Sequence, residues 1–106
     1  MKQKEHYSGF AARALGDYYS KAHLYKEGIA DLAAIRQKYP GSMTAHVALA
    51  QIFNLQMKSG DSVAATATRQ QIVSEVQQNS TYKIGSEDVL QNWDAVKKGA
   101  VSHRDD

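Results

Sequence analysis

Four histidines, His6, His23, His46 and His103, are the first residues to test for chemistry. A helical zinc site needs two ligands one turn apart, as in H-E-x-x-H, and no histidine here has such a partner on a helix-forming stretch. His103-Arg104-Asp105 has the letters of a kinase catalytic triplet, but no glycine-rich loop or strand lysine precedes it. Glu87 and Asp88 are neighbours, which on a helix points their carboxylates about 100° apart, a poor geometry for paired acid–base work. No G-x-S-x-G and no phosphate-cradling loop occurs, and Asn79-Ser80-Thr81 fits a glycosylation sequon without any other mark of a secreted eukaryotic chain. These residues predict no enzyme, no cofactor and no metal.

The 106 residues suffice for one domain with a modest core. At 42% hydrophobic and 23% charged, the chain is of the soluble globular class. A net charge of +2, from scattered lysines and without a nucleic-acid motif, argues against a nucleic-acid partner. Having no cysteine rules out a disulfide scaffold and leaves the redox compartment open. No apolar run approaches the roughly 18 residues of a membrane span. Met1-Lys2-Gln3-Lys4-Glu5-His6 lacks the apolar core of a signal peptide. Localisation therefore stays undecided: cytoplasmic if Met1 is the native start, bacterial envelope or periplasm if an export signal was removed.

With one proline and long stretches free of glycine, the pattern predicts an all-α fold. Residues 1–4 are expected to fray, and helices are predicted at about 5–21, 25–38, 43–58, 62–77 and 86–98, with 101–106 a tail. In the first, Tyr7, Phe10, Ala11, Ala14, Leu15, Tyr18, Tyr19 and Ala22 recur at helical spacing. Tyr25, Gly28, Ile29, Leu32, Ile35 and Tyr39 do so in the second. Ala14, Gly16 and Gly28 mark the expected close approach of the two backbones, since glycine costs roughly 1 kcal/mol in a helix interior and needs a reason to be there. Pro40 and Gly41 stop the chain, Ser42 caps the third helix, and Ser59-Gly60-Asp61 separates third from fourth. The third helix is apolar on more than one face, as befits a middle helix. Residues 79–85 read as a loop, and Ser86 as the cap of a last helix carrying Val89, Leu90, Trp93, Val96 and Ala100.

Leu15-Gly16-x2-Tyr19, Tyr25, Gly28 and Pro40 together resemble the tetratricopeptide repeat (TPR), whose unit is about 34 residues long. Spacing from Leu15 to Pro40 matches without insertion, while Ala12, Leu32 and Ile35 depart from the family's usual tryptophan, aromatic and alanine. A degraded second copy follows over about 43–78, with His46, Leu49, Ala50 and Phe53 in the places of Ala12, Leu15, Gly16 and Tyr19 and its turn some three residues late. His46 thus takes a repeat-core position, where a packed, hydrogen-bonded histidine is expected rather than a ligand. The ending at Tyr39 to Ser42 is similar to repeats of bacterial envelope TPR proteins.

The resemblance implies helical hairpins stacked as a short right-handed superhelix, closed by a capping helix. Trp93 would be its core residue or an interface anchor. It also implies a concave groove lined by Arg13, Asp17, Ser20, Lys21, Val47, Gln51, Asn54 and Leu55, with apolar contacts from Val47 and Leu55. The family's clamp for a C-terminal carboxylate needs asparagine at Asp17 and Ala48, so an acidic terminus is not expected by that route. The leading expectation is an interaction module, an adaptor, chaperone or assembly factor holding a protein or peptide. Alternatives are a self-associating subunit or part of a longer array and, ranked last, a small helical enzyme or metal-binding protein.

Overall fold

The computed structural model describes the backbone of residues 2–87 and 89–90, and the side chains from residue 9 onward within that range. It is all-α, with no strand among the described residues. Helix α1 spans Lys2–Lys21, α2 Tyr25–Lys38, α3 Met43–Ser59 and α4 Ser62–Gln78. A 3-10 turn at Ser80–Tyr82 leads directly into helical backbone at 83–87 and 89–90.

Local chemistry explains the boundaries. His23, at φ +59°, turns the chain between α1 and α2 in the left-handed region. Ser42 Oγ accepts from the Ala45 amide at 3.1 Å and starts α3, and Asp61 Oδ1 accepts from the Ala64 amide at 3.1 Å and starts α4. Gly60, at φ +85°, closes α3 in a conformation other side chains resist. Connections this short make successive helices run back along one another.

Helix α3 is the centre: it packs against α1, α2 and α4, and every side chain from Thr44 to Phe53 is buried. Towards α1 and α2 it closes a core of Ala12, Leu32, Val47, Ala48, Ile52 and Leu55, with Leu15, Tyr19, Tyr25 and Ile29 packed around it. Its opposite side, with α4 and the last segment, closes a second core of Leu49, Ala50, Phe53, Ala65, Ile72 and Val89.

Four expectations are corrected. Residues 2–4 are helical rather than frayed. The inward face of α1 is Ala12, Gly16 and Ser20 with Leu15 and Tyr19, whereas Phe10, Ala11, Ala14, Tyr18 and Ala22 are exposed. The stripe followed bulk, but what α3 admits is small: a Cβ on Gly16 would lie 2.3 Å from Gln51 Oε1. Gly28 is the second close approach, its absent Cβ lying 2.7 Å from both Tyr19 Cβ and Leu55 Cδ1. Residues 79–85 are not a loop, because Asn79 Oδ1 caps the Thr81 amide at 3.1 Å and Gly85 lies in helix, where a Cβ would meet Met43 Sδ and Val47 Cγ2 at 2.9 Å. Ser86 therefore lies within the last segment instead of capping it. Trp93, and the stretch 91–106 with the remainder of the expected capping helix, lie outside the described residues.

Candidate functional site

One face of α1 presents Arg13, Asp17 and Ser20 at i, i+4 and i+7, and one face of α3 presents Gln51, Asn54 and Lys58 at i, i+3 and i+7. Facing one another, with Phe10, Ala14 and Gly16, they line a cavity of about 510 Å³. A smaller cavity of about 70 Å³ is lined by Arg13, Gln51 and Asn54 again, together with Ile84, Gly85, Ser86, Glu87 and Val89. Sharing three lining residues, the two adjoin each other and are together called the cleft, between α1, α3 and the segment after Tyr82. Phe10 and Ile84, 65% and 76% exposed, stand as apolar walls.

The cleft floor is polar, and the side-chain polar atoms of Gln51 and Ser20 keep contact with solvent. Gln51 and Ser20 are each only 9% exposed, yet no described residue hydrogen-bonds either side chain. Gln51 is held there because Gly16 has no side chain to push it out. Asp17 pairs with Lys21 at 3.1 Å, both well exposed, whereas no described carboxylate pairs with Arg13 or Lys58.

Behind the cleft lies a second polar cluster with the opposite character. His46, fully buried, bonds Glu75 Oε1 through Nδ1 at 2.8 Å and Ser86 Oγ through Nε2 at 2.7 Å, and stacks on Tyr82 with ring centroids 4.8 Å apart. Arg36 donates to Glu75 Oε2 and to the Ala45 carbonyl, both at 2.8 Å, and Gln71 donates to Glu75 Oε2 at 3.1 Å. Burial pushes the Glu75 carboxyl up, but hydrogen bonds from Arg36, His46 and Gln71 and the Arg36 charge outweigh it and hold the group below its ordinary value. An ionised Glu75 only accepts, so His46 Nδ1–H donates to it. Nε2 lies 2.7 Å from the Ser86 hydroxyl, which also donates to the Tyr82 carbonyl at 3.3 Å.

Serine, histidine and carboxylate in that order are the connectivity of a nucleophilic triad. Ser86 is 1% exposed and His46 0%, so an external carbonyl has no approach to the hydroxyl in this arrangement. What the cluster does as it stands is tie α2, α3, α4 and the last segment together.

Of the eight groove residues expected from the sequence, Arg13, Asp17, Ser20, Gln51 and Asn54 come together along the cavity. Lys21 lies beside it, paired to Asp17. Val47 and Leu55 do not line it: at 4% and 0% exposure they belong to the core with α2, because that side of α3 faces a neighbouring helix rather than a groove. Lys58 was missed although it continues the Gln51–Asn54 stripe by one turn. Arg36 and Glu75, 39 residues apart, carry no signal in the sequence that they meet. No family model, curated protein or solved structure matches this chain.

Proposed function

We propose that the chain is a non-catalytic interaction module, a TPR-like adaptor, chaperone or assembly factor, that holds a segment of another protein along the cleft. The observation that carries this reading is a pair of adjoining cavities: Arg13, Gln51 and Asn54 line both, so lining residues extend from Lys58 past α1 to Ile84. Packing of Leu15 and Tyr19 against the core, in the places the repeat pattern gives them, is in keeping with stacked hairpins. Side-by-side capture with the native protein and an Arg13→Glu/Asn54→Ala variant tests the proposal, with circular dichroism confirming that the variant is folded. Partners bound through the cleft are lost from the variant. If every captured protein survives both changes, the cleft is not the binding surface.

A second reading has its own observation. Phe10, Tyr18, Val63 and Ile84 are large apolar side chains exposed by 58–82%, and such surface also drives self-association. Light scattering across a range of concentrations separates the two: a persistent monomer removes the self-associating subunit.

A further inference from the structure

We infer that His46 is a proton-operated latch, which holds the segment after Tyr82 more tightly to α3 when the ring carries a second proton. The segment meets α3 at this fully buried ring. Tyr82 stacks on it with centroids 4.8 Å apart, Ser86 Oγ lies 2.7 Å from Nε2, and a Cβ on Gly85 would lie 3.6 Å from Cδ2. The same segment carries Ile84 and Glu87 into the lining of the cleft. Whatever loosens its hold on His46 loosens that wall, whether or not the cleft binds a partner.

The hydrogen bonds admit both states of the ring without any heavy atom moving. Neutral, the ring donates from Nδ1 to Glu75 Oε1 and takes the Ser86 hydroxyl proton at Nε2. Protonated, it donates from both nitrogens, and the Ser86 hydroxyl has a second acceptor within reach, the Tyr82 carbonyl at 3.3 Å. Only the hydroxyl has to rotate. The added proton makes an ion pair of the Nδ1 bond and a charge-assisted bond of the Nε2 contact, and bonds of that kind are about twice as strong as neutral ones. A cationic ring also gains from the Tyr82 face against which it lies.

The surrounding charges favour this gain. Facing the ring are Glu75 from α4 and Tyr82 and Ser86 from the last segment. Arg36 of α2 is on the far oxygen of the carboxylate at 2.8 Å, and it also donates to the Ala45 carbonyl. Burial alone opposes a charge on the ring; the carboxylate at 2.8 Å and the acceptor at Nε2 are what offset it.

The test is amide hydrogen exchange, corrected for intrinsic rate, between about pH 8 and about pH 5.5, the range that brackets ordinary histidine titration. Imidazole nitrogen chemical shifts of the same samples read the ring state directly. On acidification the folded protein is expected to take up the second proton at His46, and exchange over 83–90 should slow by about threefold or more relative to α1. His46→Gln, which takes no proton, should abolish that response. Ser86→Ala guards against a glutamine variant that fails to fold: its ring still titrates, but the link to the segment is cut and most of the response goes with it. A ring that stays neutral at the acidic end overturns the latch, as does one that gains its proton while 83–90 keeps pace with α1 or quickens. A response undiminished in either variant belongs to another group and also overturns it. The cleft reading fails separately, when captured partners ignore the Arg13→Glu/Asn54→Ala pair.

Discussion

His46 and Gln51 lie five residues apart on α3, both buried and both polar, and they have opposite surroundings. Each His46 nitrogen has a partner, and those partners, Glu75 and Ser86, are secured by Arg36, Gln71 and the end of the Tyr82 turn. Gln51 has none among the described residues and opens onto the cleft. A polar group completed from within contributes to the fold and loses much when broken, whereas one that keeps contact with water contributes little either way. Polarity and burial alone do not tell these two positions apart; their hydrogen-bond partners do.

The largest effect expected from this contrast is His46→Ala. It empties a stacked position against Tyr82 and leaves the Glu75 carboxylate and Ser86 hydroxyl short of a partner, so urea unfolding should show a loss of about 3–5 kcal/mol. A loss below about 1 kcal/mol would place His46 with Gln51 and dissolve the distinction.

Ser86→Ala is the milder break on the same side, about 1–2 kcal/mol, because Nε2 of His46 loses its partner along with only a long hydrogen bond to the Tyr82 carbonyl. Its second readout is local: hydrogen exchange should quicken over 83–90, the stretch Ser86 anchors to α3, and remain unchanged over α1 and α2. Uniform quickening would mean that the cluster supports the whole domain rather than pinning one wall of the cleft.

Helix positions were readable because their causes are local: Ser42 as a cap and the break at Ser59-Gly60-Asp61 follow from backbone chemistry within a few residues. The face of α1 was misread because apolar spacing weighs size, whereas α3 comes so close that only Ala12, Gly16 and Ser20 fit. Helical spacing alone does not tell a groove from a core, which is why Val47 and Leu55 were put on the wrong side of α3. Ser86 followed by Glu87 imitates a helix start, yet Asn79 had already begun the turn, and the serine's true partner, His46, is 40 residues away. Long-range polar pairing was the part that no local rule reached.

Acid is a gentler probe of the His46 cluster. Glu75 has its folded-state pKa below its unfolded value, ordinarily about 4.3. As pH falls, the unfolded chain takes up this proton first. Glu75's contribution is therefore complete above that ordinary value and is lost as pH drops through the folded one. Urea midpoints followed from about pH 6 to about pH 3 should fall more steeply for the native protein than for Glu75→Gln. Parallel curves would show that Arg36, His46 and Gln71 do not favour the ionised form.

Gln51→Leu should have the smallest effect on stability and is for that reason the sharpest comparison. Replacing an amide that keeps contact with water by an apolar group of similar size breaks no hydrogen bond to a described residue, so urea unfolding should show a change of less than about 1 kcal/mol. Next to it, His46→Leu is an equally apolar change on the same helix with a large expected loss, because there the partners are left behind. If Gln51→Leu costs as much as His46→Leu, the amide has a structural partner after all, and the cleft floor belongs to the fold rather than to whatever the cleft holds.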